Sequence, residues 1–103
     1  MQLGIVMTDD RFASHVVGLL DAAHARGWPT LCFLTDAGVK VLGHEDFIER
    51  AKAWPNMVSV CEHSIEKHAA DTIDIQAHAD FVIIGGQYQN AELARKCDKV
   101  LVF

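Results

Sequence analysis

The feature that most constrains this chain is an alternation, kept from one end to the other, of strand-sized apolar runs with segments of helical periodicity. Leu3 to Met7 reads as a buried strand, after which Phe12, Val16, Leu19, Leu20 and Ala23 recur at the spacing of one helix face. Between them, Thr8, Asp9 and Asp10 carry side chains that cap helix starts. Gly27 stops the helix and Pro29 opens a second strand through Thr30 to Leu34, followed by a loop from Thr35 to Val39. A helix is expected from Glu45 to Trp54, ended by Pro55-Asn56. A strand from Met57 to Val60 follows, then a helix from Cys61 to about Asp71. The stretch from Thr72 to His78 leans to a further short helix. Asp80 to Ile84 reads as a fourth strand closed by Gly85-Gly86, Gln87 to Lys96 as the last helix, and Lys99 to Phe103 as a fifth strand.

Such alternation implies parallel pairing, because each strand must be returned to the same end of the sheet by a crossover. The expected fold is α/β: a five-stranded parallel sheet with helices on both faces, in three α/β/α layers. At 103 residues, half of them hydrophobic, the chain can bury one core and not two, so residues 1–103 form a single domain. Parallel strands are expected to be buried and continuously apolar, as Phe81 to Ile84 and Val100 to Phe103 are. A sheet this small, with Trp28, Trp54 and Tyr88 near element ends, is expected to complete its cover against another subunit.

Charge excludes two classes of partner. Nine basic residues stand against fourteen acidic ones, a net of -5, and no Lys/Arg run exists to neutralise phosphates. Nucleic acid and anionic membrane surfaces are therefore not expected partners. No apolar stretch has bilayer length and the amino terminus lacks a secretory pattern. The three cysteines form no Cys-x-x-Cys pair, which argues against a disulfide framework and for a reducing cytoplasm.

In an open parallel sheet, chemistry collects beyond the carboxyl ends of the strands. Four loops should meet there: Thr8 to Asp10, Thr35 to Gly38, Cys61 to Ser64, and Gly85 to Tyr88. Cys61 lies on that edge, between a strand and a helix start, where it is expected to be reachable from solvent and the helix dipole favours its thiolate. His63 and Lys67 would lower its pKa; Asp9, Asp10, Asp36 and Glu62 would raise it. The plainer reading is a small apolar residue closing a strand. Position and expected exposure favour chemistry. Cys32, inside Leu31-Cys32-Phe33-Leu34, and Cys97, late in a helix, read as packing.

The six histidines are scattered, and none forms the i, i+4 pair of a helical metal site. His63 is the one that stands beside Cys61, as a proton or orientation partner. A Cys61–His63 metal pair would need further ligands from distant loops, so neither metal nor cofactor is expected. Asp9-Asp10 suggests the acidic corner of phosphate-receiving signalling domains. Those domains need an aspartate where Cys61 stands and a lysine at the end of the fifth strand, whereas Lys99 begins it; helix capping is the better reading. No G-x-G-x-x-G or P-loop occurs.

Phe33-Leu34-Thr35-Asp36-Ala37-Gly38-Val39 after the second strand and Val60-Cys61-Glu62-His63-Ser64 after the third resemble the DsrE/DsrF-like family of sulfur-relay proteins. The resemblance runs in element order from about Leu3 to Gly86. It departs from the family pattern at Lys67-His68-Ala69, where a basic residue and a glycine are common. It implies a homotrimer or homohexamer and a cysteine, here Cys61, that carries sulfane sulfur as a persulfide between donor and acceptor proteins. Under that reading Cys61 is the reactive residue of a sulfurtransferase or persulfide carrier, Glu62, His63 and Ser64 shape its surroundings, and Asp36, Gly38 and Gly85 line the pocket. The absence of a nearby second cysteine fits carrying better than disulfide exchange. The alternative is a non-enzymatic oligomeric binding or assembly module of the same fold. A third option is a metal-binding or small-ligand sensor on the carboxyl edge.

Overall fold

A computed structural model of residues 1–103 contains one parallel sheet. Its strands are β1 (Leu3–Asp9), β2 (Thr30–Ala37), β3 (Val58–Cys61), β4 (Val82–Gly85) and β5 (Lys99–Val102), in the order β4-β3-β2-β1-β5. Helices α1 (Ala13–Ala25), α2 (Glu45–Ala53), α3 (Glu62–His68) and α4 (Gln87–Lys96) alternate with them. The expected α/β architecture is the observed one.

Strand order decides which face each helix covers. From β1 to β4 the chain steps steadily toward one edge, and it then returns across the whole sheet to add β5 beside β1. Right-handed crossovers place the outgoing connections on one face and the returning one on the other. The core divides accordingly. Ile5, Met7, Cys32, Leu34, Val58 and Val60 point to a large cluster that includes Val16 and Leu20 of α1, Phe47 of α2 and Ile65 of α3. The alternate positions Val6, Phe33 and Cys61 join Leu93 of α4 in a much smaller one.

Local chemistry sets the element ends. The Asp9 carboxylate accepts the Arg11 N–H at 3.0 Å and so caps the short 3₁₀ turn Asp10–Phe12 that leads into α1. Gly27 at φ 72° ends α1, and the Trp28 N–H turns back to the Ala23 carbonyl at 2.9 Å.

Several expectations need correction. β2 continues to Ala37, so Thr35 to Ala37 is strand, and Gly38–Gly43 forms a 3₁₀ turn whose Val39, Val41 and Leu42 are buried. α3 ends at His68, well short of Asp71, and the stretch from Thr72 to His78 holds only a 3₁₀ turn, Ile75–His78. The expected burial of the last strand fails. Val100 and Leu101 are each 40% exposed and Val102 67%, because β5 is an edge strand paired only with β1. No helix is long and apolar enough to cross a membrane.

Candidate functional site

Parallel register carries Cys61 to the carboxyl edge: Val60 aligns with Leu34 of β2, and Cys61 with Gly85 of β4. Its backbone, at φ -77° and ψ 111°, is still extended, and α3 begins at the next residue. Because side chains alternate along a strand, Cys61 shares the α4 face with Val6 and Phe33. There it is only 6% exposed, in contrast to the expected open thiol. The first turn of α4, which returns over this face, closes on it through Gln87.

Two opposing effects act on the thiol. Burial pushes its pKa up; the Ser64 hydroxyl and N–H, the His63 N–H and the Gln87 side chain act as donors toward the sulfur and outweigh burial, so the pKa lies below the ordinary thiol value. None of these donors makes a close hydrogen bond to the sulfur; the short contacts of Ser64 are with β2. Its Oγ accepts the Asp36 N–H at 2.9 Å and stands 3.3 Å from the Thr35 hydroxyl. Holding Ser64 from β2 fixes the rotamer that serves the sulfur. The other thiols behave oppositely. Burial pushes Cys32 up to about 12, and burial and then the Asp98 carboxylate push Cys97 up.

The residues expected around Cys61 fall into four groups. Ser64 is buried and in place. Asp36 and Gly85 support it indirectly: Asp36, at φ 49°, contributes its N–H to Ser64 while its own side chain is exposed, and Gly85 is the cross-strand partner of Cys61. Glu62 and His63 turn their side chains to solvent, so His63 contributes its N–H and not its imidazole. Gly38 has a packing role, with its Cα against the Met7 carbonyl, where a Cβ would overlap that oxygen. The acidic rim does not set the thiol's pKa. Asp9 pairs with Arg11 at 3.1 Å and Asp10 with His44 at 3.0 Å.

Sequence reasoning missed Gln87 as a donor to the sulfur. It follows Gly85-Gly86 directly, in a loop expected on this edge, but no residue pattern marks it as reaching Cys61. No three His, Cys, Asp or Glu side chains converge in a way that could hold a metal ion. No protein-family model, curated protein or solved structure matches the chain.

Proposed function

We propose that this is a DsrE-like, cytoplasmic sulfur-relay protein in which Cys61 accepts sulfane sulfur from a donor protein and passes it to an acceptor. The observation that carries this reading is the set of four donors, on α3 and α4, whose combined effect favours the Cys61 thiolate against burial. The thiolate attacks the terminal sulfur of a donor persulfide; the Cys61 S–S bond forms, the donor S–S bond breaks, and the donor leaves as a thiolate. The product is a Cys61 persulfide with no net oxidation. In the onward step an acceptor thiolate attacks the outer sulfur and Cys61 leaves as a thiolate, the form that Ser64, His63 and Gln87 favour. Turning the exposed Gln87 side chain aside opens the sulfur to its partners.

The remaining cysteines support carrying rather than disulfide exchange. Cys32 points to the opposite face of the sheet. Cys97 packs over Gly4, whose partner in β2 is Leu31, near the amino ends of the strands, while Cys61 closes β3 at the carboxyl edge. Assembly into a homotrimer or homohexamer is part of the same reading.

Incubation with polysulfide followed by intact-mass measurement tests it. The wild-type protein gains one sulfur that a reductant removes, Cys61→Ser gains none, and Ser64→Ala gains it several-fold more slowly. A wild type that stays unmodified, or a Cys61→Ser variant that gains sulfur equally, defeats the proposal. A second reading, an assembly module without sulfur transfer, is favoured by the exposed apolar strand β5. It prevails if the protein takes up no sulfur yet scatters light as an oligomer.

A further inference from the structure

The α4 face holds a second feature, apart from Cys61. Between α4 and strands β3 and β4 lies a groove of about 190 Å³. Leu31 and Ile83 contribute apolar surface from the sheet, Leu93 contributes it from the helix, and Tyr88, 70% exposed, stands at the rim. The residues of α4 that line the groove are Tyr88, Gln89, Glu92, Leu93 and Lys96. Positions 89, 92, 93 and 96 have the spacing of the stripe a helix normally turns, apolar, toward a sheet. Here only Leu93 of those four is apolar.

The polar groups in this groove are unequally engaged. Ser59 is 9% exposed, lines the groove, and its hydroxyl makes no hydrogen bond within the protein. Gln89 accepts the Gly86 N–H through Oε1 at 2.9 Å, which leaves both protons of its Nε2 free. The charged groups, by contrast, are satisfied. Lys96 lies 3.5 Å from Glu92, and Arg95 binds the same carboxylate oxygen at 2.8 Å. The Ser59 hydroxyl opens into the groove, and with the Gln89 amide it offers unengaged donors between apolar walls, an arrangement that suits an acceptor.

We infer that this groove binds a small uncharged molecule, an apolar ring or short chain bearing a carbonyl or amide oxygen that accepts from Ser59 and Gln89. The self-paired charges give no ion an advantage. The volume is below the roughly 300–1,000 Å³ of drug-sized sites, which limits the ligand to about one ring. Ser59 and Cys61 point the same way from β3, roughly 7 Å apart. The bound molecule therefore lies beside the thiol, and its recognition does not depend on sulfur transfer.

Benzamide is the probe, followed by amide NMR spectra of the whole protein. Saturable shifts centred on Ser59, Ile83 and Leu93, at about millimolar affinity for so small a ligand, are expected. Benzoate and benzylammonium should bind clearly less well. Ser59→Ala, which keeps the strand, should weaken benzamide about fivefold to tenfold. Ile83→Ala, at an exposed edge position, should weaken it independently of the hydroxyl. Absence of saturable shifts in the wild type, an unchanged Ser59→Ala affinity, or equally tight benzoate overturns the inference. So does a groove whose signals move on dilution alone, which would mean that a second copy fills it.

Discussion

The two faces of this sheet are built from the same alternating strands but are finished very differently. One face lies under α1, α2 and α3 and closes a cluster of 20 buried residues; the other has α4 alone and closes a cluster of 4. The difference follows from strand order rather than from composition. Three successive crossovers run toward one edge, and a single long return supplies the only helix for the opposite face. The well-covered face is where stability resides. The sparsely covered one keeps the groove at Ser59 and the apolar side chains of Ile83, Val100 and Val102 within reach of other molecules, and holds Cys61 buried beneath the first turn of α4.

Mutating one residue on each face should expose this inequality most strongly. Phe47 is fully buried against the covered face, so Phe47→Ala should cost about 3–5 kcal/mol of unfolding free energy. Val102 is 67% exposed on the other face, so Val102→Thr should fall within about 0.5 kcal/mol. Urea denaturation at low protein concentration measures both. A Val102→Thr penalty above about 1 kcal/mol, growing with protein concentration, would mean that the α4 face is buried by another copy in solution. That outcome would erase the contrast between the faces and strengthen the assembly reading.

The cysteines give the same comparison as a function of pH. Cys32, on the covered face, has its pKa raised from 9.0 to about 12. Its contribution to stability is fully present below the unfolded-state value and is lost as pH rises through the folded one. Across the interval from 9.0 to about 12, the loss reaches about 4 kcal/mol. Cys61, on the open face, has a lowered pKa, so its contribution has the opposite sign: present above the ordinary thiol value and lost as pH falls through the folded value. Comparing the stability of wild type with Cys32→Ala and Cys61→Ser across alkaline pH isolates the two terms, since the other alkaline groups are common to all three proteins. Parallel curves for wild type and Cys32→Ala would refute the first assignment. Alkylation of native Cys61 that follows an ordinary thiol titration would refute the second.

Much of this inequality was hidden in the sequence, for a physical reason. Apolar runs and helical spacing located all five strands and four helices, because each is a local pattern that burial of one surface imposes. The same patterns carry no information about strand order. Val100-Leu101-Val102 looks like a central strand, yet it lies at an edge, because it is added outside β1 and no further strand follows to cover it. Cys61 was legible as an edge residue from its junction between strand and helix. Its burial and its Gln87 donor were not, since both depend on where α4 lands after crossing the sheet. Ser64 was legible by adjacency, whereas its fixing by the Asp36 N–H depends on β2 continuing into what looked like a loop.

Two glycines sharpen the comparison at a smaller scale. Gly38 opens the 3₁₀ turn that packs Val39, Val41 and Leu42 into the large cluster, and a Cβ there would run into the Met7 carbonyl. The obstacle is backbone inside a parallel ladder, which cannot turn aside without disturbing β1. Gly38→Ala should therefore cost about 1–3 kcal/mol, toward the upper part of that span. Gly85 faces α4, and a Cβ there would meet the Gln89 carboxamide, the far end of a flexible side chain. Swinging Gln89 away forfeits its acceptance of the Gly86 N–H at the start of α4, a loss of about 1 kcal/mol or less. Thermal unfolding of the two variants should give clearly separated midpoints, with Gly38→Ala the lower. Equal midpoints would mean that α4 is held as rigidly as the covered face, and the groove beneath it would then owe its shape to fixed packing rather than to sparse cover.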